Sequence, residues 1–262
     1  GLELTVQGAR LQIVPATQEE ADGVEAAERI RASEVEEVEA RLSGSKLGEA
    51  EAAAIILSLQ GKPGLSLLDL SDSSISAPAA KLLGNAFGTP ALPVASLAHL
   101  TLSRSPLGDA SALLLLACLP RLPSLRTLRL DATLLSPLAG PPLAQLLSAL
   151  HVPPLLEELD LGGNSLLSTG VEALAACLRK GALPALRCLT LDANGIDDSG
   201  GRALAGALGG APRLEELSVA GNEIGSDGAA ALVAAAQRSR EGGKGVQMLD
   251  LQRNPLGKEA RA

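Results

Sequence analysis

The sequence repeats a short leucine pattern seven times, and this repetition limits the possible folds more than any other feature. In each copy, aliphatic residues occupy positions 1, 4, 6 and 11, and a small polar residue occupies position 9. The copies begin at Leu65, Leu97, Leu125, Leu156, Leu186, Leu214 and Val246, with spacings of 28 to 32 residues. A degenerate eighth copy has Ala40, Leu42, Ser45 and Leu47 at the matching positions. This period is typical of stacked repeats, in which each unit buries its apolar side only against its neighbours.

Each copy predicts a strand, a turn, a helix and a return loop. The two leucines separated by one residue alternate as in a strand with one buried face. The small polar residue that follows can satisfy buried backbone groups of the neighbouring turn. Helices are predicted over 171–178 and 202–208, and a proline stands two residues before five of the seven strands. The result is a parallel βα solenoid in the α/β class.

The pattern Leu-x-x-Leu-x-Leu-x-x-Asn-x-Leu resembles leucine-rich repeat proteins, and the long period with a full helix resembles the ribonuclease-inhibitor-like class. The resemblance covers residues 37–262 and is clearest over 214–228. It implies a right-handed, horseshoe-shaped solenoid with a concave parallel sheet and convex helices. The first three clear copies have Ser73, Ser105 and Thr133 in place of asparagine, so their turns should be looser. A loop with three prolines over 136–142 should shorten the next helix.

Residues 1–36 differ from the repeats and form a predicted N-terminal region. Segments 2–6 and 10–14 alternate around Gln7-Gly8-Ala9, which predicts a hairpin. Thr17 and Glu20 have the spacing of a capping box that opens an acidic helix ending near Glu36. The expected role is a cap on the first repeat; the alternative is a docking helix for a basic partner. The repeat domain then has about eight repeats, the last one truncated, so that further chain or a partner is expected to cover the final strand.

Composition excludes several classes of function. With 22 basic and 30 acidic residues the formal net charge is −8, which disfavours nucleic acid and anionic lipid as partners. The longest apolar run, 112–119, is too short to span a bilayer, which needs about 20 residues. Three cysteines make no disulfide framework. They favour an intracellular location, which is expected to be the cytoplasm. The composition, rich in Ala, Leu and Gly with almost no aromatic residues, leaves a ciliary, cytoskeletal or organellar assembly as an alternative.

The variable strand positions define a candidate interaction surface on the concave face. Its candidate residues are Arg104, Arg126, Arg129, Glu158, Asp160, Arg187 and Glu216. Arg126, Glu157, Arg187 and Glu215 follow one another in successive repeats, so that neighbouring strands would carry a ladder of alternating charge. The ladder either neutralises itself or leaves charges for recognition. Tyrosine and tryptophan, the usual anchors of tight interfaces, are absent from the sequence, which favours contacts spread over a large area.

No catalytic constellation, metal site or cofactor motif is found in the sequence. His99 and His151 stand about two repeats apart, and each is expected to be solvated or hydrogen-bonded. Cys118 and Cys177 should be small buried hydrophobes, and Cys188 should face the concave surface without an activating histidine. Phosphate-loop, dinucleotide and zinc motifs are missing.

These features predict a non-enzymatic interaction or scaffold module that binds other proteins in a multi-subunit intracellular assembly. Two alternatives stay open. Ran GTPase-activating proteins share the repeat class, although the acidic tail typical of them is lacking here. A sensor region of an immune-type receptor would use the same repeats.

Overall fold

The computed structural model describes residues 2–6, 9–13, 38–59, 64–87, 89, 95–149, 155–241 and 245–256. It divides into a first unit, residues 1–129, and a second unit, residues 130–262. The acidic helix predicted from Thr17 to Glu36 and His151 lie outside the described residues. None of the helices in these ranges combines the length and apolar character needed to cross a membrane.

The first unit contains a hairpin and the first repeats. Its strands are β1 Leu2–Val6, β2 Ala9–Ile13, β3 Val38–Arg41, β4 Lys46–Leu47, β5 Leu65–Asp69, β6 Ser74–Ile75, β7 His99–Thr101 and β8 Thr127–Arg129, and its helices are α1 Glu49–Leu59, α2 Ala77–Ala86 and α3 Gly108–Leu116. Strands β3, β5, β7 and β8 are parallel, while β1 pairs antiparallel with both β2 and β3. The hairpin therefore continues the sheet beyond the degenerate copy, whose strand is β3.

The second unit repeats the strand–helix alternation without interruption. Its helices are α4 Gly140–Ser148, α5 Leu167–Arg179, α6 Asp198–Ala205 and α7 Ser226–Glu241, and its strands are β9 Glu158–Asp160, β10 Cys188–Thr190, β11 Glu216–Ser218 and β12 Met248–Asp250. All four strands are parallel and in register, so that Leu159, Leu189, Leu217 and Leu249 stand side by side. The chain thus has the α/β leucine-rich-repeat solenoid fold predicted from the repeat.

The core is the space between strands and helices, as the leucine spacing predicts. The paired aliphatic positions of six repeats are at most 2% exposed: Leu68 and Leu70, Leu100 and Leu102, Leu128 and Leu130, Leu159 and Leu161, Leu189 and Leu191, and Leu217 and Val219. Leu249 and Leu251 in the last strand are half-buried. Each buried side chain stabilises the fold by about 1.5–3 kcal/mol relative to exposure.

One helix boundary differs from the prediction. The helix predicted over 202–208 ends at Ala205, and a 3₁₀ turn, Leu208–Gly210, follows it. Gly206 is the C-cap residue, and glycine is a poor helix former. The C-cap of α2 is Phe87, which is fully buried. The proline loop forms a 3₁₀ turn, Pro137–Ala139, before the nine-residue α4.

The small polar position ties successive repeats together. The Asn222 Oδ1 accepts hydrogen bonds from the Asn194 and Ile196 amides at 2.8 and 3.1 Å. Its Nδ2 donates to the carbonyls of Leu191 and Val219 at 3.0 and 2.9 Å. The carboxamide therefore satisfies backbone groups of two repeats at once.

Serine at the same position makes fewer of these bonds. Ser105 Oγ accepts from the Ser73 amide at 3.1 Å and donates to the Leu70 carbonyl at 2.8 Å. The Ser73 hydroxyl is used in the same way, and the residues that follow Ser45 and Ser73 pair directly as β4 and β6. The serine turns are formed, with the backbone supplying bonds that the carboxamide supplies elsewhere.

The residue immediately before this polar position is left-handed in every repeat, with φ between 49° and 77°. Three repeats place Gly44, Gly163 and Gly221 there, and the others place Asp72, Arg104, Ala132, Ala193 and Arg253. A side chain in this conformation costs about 1–2 kcal/mol, which glycine avoids.

Ala193→Gly is therefore expected to raise the free energy of unfolding by about 0.5–1 kcal/mol, after the greater chain entropy of glycine is subtracted. Ala193 is exposed, so little packing is lost. Urea unfolding followed by circular dichroism measures the change. As the matched control, Ala203→Gly within α6 should lower stability by about 1 kcal/mol. A loss of stability in both variants would contradict the role assigned to the left-handed turn.

Candidate interaction surface

The strand face of the second unit presents the side chains that do not point into the core. Between the buried leucines, β9 to β12 expose their first and last residues in matching rows. One row is Glu158, Cys188, Glu216 and Met248, and the other is Asp160, Thr190, Ser218 and Asp250. Neighbouring strands in a sheet lie about 4.8 Å apart, so each row is a closely spaced line of side chains.

This strand face is acidic. Its eight strand residues include four carboxylates, at Glu158, Asp160, Glu216 and Asp250, and no cation. The four residues that enter the strands, Glu157, Arg187, Glu215 and Gln247, add a net charge of −1. These twelve side chains therefore carry a formal charge of −5, more than half of the −8 carried by the whole chain.

A groove of about 440 Å³ lies along the entry side of these strands. Its lining residues are Glu157, Ala185, Arg187, Arg213, Glu215, Gly245 and Gln247. Within it the Arg187 guanidinium donates to both Glu215 oxygens, at 3.3 and 2.8 Å. The pair lowers the pKa of Glu215 and raises that of Arg187. Both side chains are about half exposed, so the pair adds little stability.

Along the predicted ladder of alternating charge, Arg187 and Glu215 form a hydrogen-bonded ion pair at the step from β10 to β11. The charge on Glu157 also acts on Arg187 and raises its pKa further. Glu157 and Glu215 therefore both act on Arg187, and Arg213 is a second arginine in the lining of the groove.

Cys188 lies between Glu158 and Glu216 in its row, with Sγ 3.8 Å from the Glu216 Oε2. Burial, together with the two carboxylates, raises its pKa. The thiolate that nucleophilic catalysis needs is therefore disfavoured at neutral pH.

Several carboxylates near the strand ends also support turns. Asp160 accepts from the Gly162 amide at 2.9 Å, and Asp250 accepts from the Gln252 amide at 2.8 Å. Asp192 instead accepts from the Ser218 hydroxyl and the Ala220 amide in the next repeat. Asp160 therefore combines a structural bond with its position on the strand face.

Three of the four arginines of the candidate set, Arg104, Arg126 and Arg129, belong to the first unit. Arg126 enters β8 and Arg129 ends it, and both are exposed. Arg104 lies on the turn after β7 rather than on the strand, where its guanidinium donates to both oxygens of Asp72, at 2.7 and 2.6 Å. Thus Arg104 belongs to a turn-to-turn ion pair, which its position in the repeat did not reveal.

The described histidine and the two other cysteines make structural contacts. His99 Nδ1 lies 3.0 Å from the Thr127 Oγ1 in the next strand. Cys118 and Cys177 are buried and unpaired with other cysteines, and burial raises the pKa of Cys118 to about 12. Among the described residues, no three His, Cys, Asp or Glu side chains are grouped so that they could hold a metal ion.

The sequence pattern missed two residues of this surface. Arg213 lines the groove from the loop before β11, where no repeat position predicts its orientation. Met248 is 55% exposed at the end of the acidic row. Its place in the row follows from the repeat register, but a methionine in a leucine-rich sequence gives no signal of exposure.

Parts of the chain are similar to a known repeat family and to a known protein. Residues 152–175, 183–205 and 212–233 match the family model described as Leucine Rich repeat. The mouse Tonsoku-like protein is 30% identical over 238 residues, which cover 78% of this chain and 17% of that protein. The chain thus spans only about a sixth of this relative.

Two solved structures also show similarity. An internalin from Listeria monocytogenes is 16% identical, with a TM-score of 0.36, and the alignment covers 91% of this chain and 90% of that one. The structure of TLR13 with ssRNA13 is 20% identical, with a TM-score of 0.33, over 79% of this chain and 35% of that one.

Three segments of the chain therefore match leucine-rich repeats, and the strands of both units pair with the same parallel geometry.

Proposed function

We propose that this protein is a non-enzymatic interaction module whose partners are other proteins within a larger assembly. The full helix in most repeats and the spacing of 28 to 32 residues favour the ribonuclease-inhibitor-like class. The strand face of the second unit is the binding surface, with Glu158, Asp160, Arg187 and Glu216 among its contacts. In the first unit, Arg126 and Arg129 offer a separate set of cationic contacts.

The observation that carries this proposal is the charge of the strand face, −5 over four adjacent strands. A surface of one sign attracts a partner of the opposite sign and speeds its association. An extended segment rich in lysine and arginine fits the two rows, because its side chains can meet carboxylates on successive strands. Nucleic acid carries the same sign as this face and is repelled.

The double variant Glu158→Lys/Glu216→Lys tests this proposal. The probe is a fluorescein-labelled peptide of alternating lysine and serine, and anisotropy measures its Kd. The two reversals remove two attractive charges and add two repulsive ones, so we expect the Kd to rise about tenfold or more. Raising the salt concentration from about 0.05 to 0.3 M should weaken the binding of the parent protein.

Glu172→Lys is the matched control. Glu172 is exposed on α5, away from the strand face, and its replacement changes the net charge by the same amount as each of the two substitutions. It should leave the Kd within about twofold. If Glu172→Lys weakened binding as much per charge as the double variant, the attraction would come from net charge alone, and the strand face would not be the site.

A further inference from the structure

Three leucines of the second unit are exposed where the βα turns meet the helices. Leu134 is 63% exposed, Leu138 is 80% exposed and Leu167 is 45% exposed. We call these three residues the apolar patch. Large exposed apolar side chains grouped on one edge mark interaction sites more often than isolated ones do.

The backbone places the members of the apolar patch beside one another. The amide of Ser165, two residues before Leu167, donates to the Leu135 carbonyl at 2.8 Å. Farther along the same two turns, the Pro137 Cα lies only 3.3 Å from where a Cβ on Gly170 would be. Segment 134–138 therefore runs directly against the start of α5, where Leu167 is the first residue.

The backbone conformation disfavours leucine at two of these positions. Leu134 and Leu167 are left-handed, with φ of 62° and 51°. At the corresponding places, Gly195 and Gly108 adopt the same conformation without the steric cost of a side chain. The other described repeats hold Lys46, Ser74, Pro106, Ser165, Glu223 and Pro255 at the first position, or Gly48, Ser76, Ser136, Asp197 and Gly225 at the second. The Leu167 Cδ2 lies over Gly195 of the next turn, whereas the strained backbone and exposed side chain of Leu134 point to a use outside the fold.

The segments that carry the apolar patch are uncharged, and an acidic residue of the next repeat lies beside Leu167. No Asp, Glu, Lys or Arg occurs from residue 132 to 156 or from 161 to 171. Next to Leu167, the Ser168 hydroxyl donates to the Asp197 Oδ1 at 2.6 Å. This bond and the bonds from Ser199 and Gly200 hold the pKa of Asp197 well below its ordinary value. Asp197 is thus a carboxylate at the rim, followed by Asp198.

We propose that the apolar patch docks a segment of a partner protein in which two or three large apolar side chains are flanked by lysine or arginine. Leu134, Leu138 and Leu167 supply the apolar centre, and the Asp197 carboxylate, which is bonded to Ser168 beside Leu167, faces the basic flank. An apolar centre inside a polar rim is the common anatomy of protein interfaces. This surface is separate from the strand face, so the protein can engage two segments at once.

The test uses the full chain and a synthetic amphipathic peptide with leucines on one helical face and lysines on the other. Leu134→Gly/Leu138→Ser is expected to raise the Kd, measured by anisotropy, about tenfold or more. Its urea midpoint should stay the same or rise, because glycine relieves the left-handed strain. Loss of binding without loss of stability separates a docking role from misfolding.

Two controls define the site. Leu57→Ser removes a leucine that is 50% exposed on α1 and should leave the Kd unchanged. Peptides with leucines replaced by serine, or lysines by glutamate, should bind at least about tenfold more weakly. Glu158→Lys/Glu216→Lys should retain binding to this probe, which distinguishes failure here from failure of the strand-face proposal.

Three results would overturn the proposal. One is equal binding of the amphipathic peptide to the parent and to Leu134→Gly/Leu138→Ser. Another is equal binding of the peptide whose leucines are serine. The third is a concentration-dependent dimer of the parent, seen by sedimentation velocity and lost in the variant, which would make a second copy of the chain the occupant.

Discussion

Replacing Gly210 with alanine is expected to lower the free energy of unfolding by about 3 kcal/mol, at the upper end of overpacking effects. A Cβ on Gly210 would lie 2.1 Å from the Leu178 carbonyl oxygen and 2.7 Å from the Arg179 Cα. Both atoms are backbone at the C-terminal end of α5, so no side chain can rotate away. The 3₁₀ turn that contains Gly210 would have to move from its neighbouring repeat.

Gly209 provides a control one residue away in the same turn. A Cβ there meets nothing within 4 Å. Gly209→Ala should therefore leave stability unchanged or raise it by up to about 1 kcal/mol, because alanine lowers the entropy of the unfolded chain. Urea unfolding of both variants measures the difference in midpoint at a shared slope. Similar midpoints for the two variants would show that the close approach of the turn to α5 is not maintained in solution.

Such close contacts explain why the sequence predicts the fold better than its details. The leucine positions of the repeat are occupied by the same kind of residue in every copy, so burial of Leu159 or Leu189 follows from the pattern alone. The sequence does not show whether Gly209 or Gly210 is the glycine that a close contact requires. Only the structure shows which of them faces the backbone of another repeat.

In the turns, too, the sequence predicts some features and not others. Asparagine at the polar position predicts bonds between repeats, and the structure contains them. The left-handed residue before it is recognisable where Gly163 and Gly221 stand, but Ala193 and Arg253 hide it. The repeat register alone predicts that Arg104 lies on the concave face, whereas its left-handed backbone puts it on the turn after β7.

The candidate surfaces are the least predictable part, because the repeat constrains only buried positions. Exposed strand positions vary from copy to copy, and their collective charge becomes visible when the register aligns them. In the sequence, nothing distinguishes Leu134 and Leu167 from the many other leucines of the chain. Their exposure depends on turn geometry, which the apolar pattern does not encode.

Asn222→Ala is expected to destabilise the protein by about 4 kcal/mol. Asn222 is 5% exposed. Removing its carboxamide leaves the Asn194 and Ile196 amides without their acceptor, and the Leu191 and Val219 carbonyls without a donor. Each buried group left unsatisfied costs about 1–3 kcal/mol, and partial entry of water reduces the sum. Urea unfolding monitored by circular dichroism gives the value.

Asn222→Ser should recover about half of this loss, because a hydroxyl can accept from one amide and donate to one carbonyl. Ser105 does this in its own repeat, with the Ser73 amide and the Leu70 carbonyl. Serine and alanine differ here by one oxygen atom. Equal stability of the two variants would mean that the loss arises from the cavity and not from the hydrogen bonds.

Asn222→Asp separates the donor half of the carboxamide from the acceptor half. One oxygen of the carboxylate can still accept from the two amides. The other oxygen replaces Nδ2 and therefore faces the carbonyl oxygens of Leu191 and Val219. Burial and this repulsion raise the pKa of the introduced group above its value of about 3.9 in the unfolded chain. A raised pKa in the folded state makes the variant most stable below about pH 4, and stability relative to the parent should fall as the pH rises through the folded-state value. A difference from the parent that stays constant between about pH 4 and 7 would contradict the assignment of Nδ2 to the carbonyls, because a carboxylate that faced only donors would keep a low pKa.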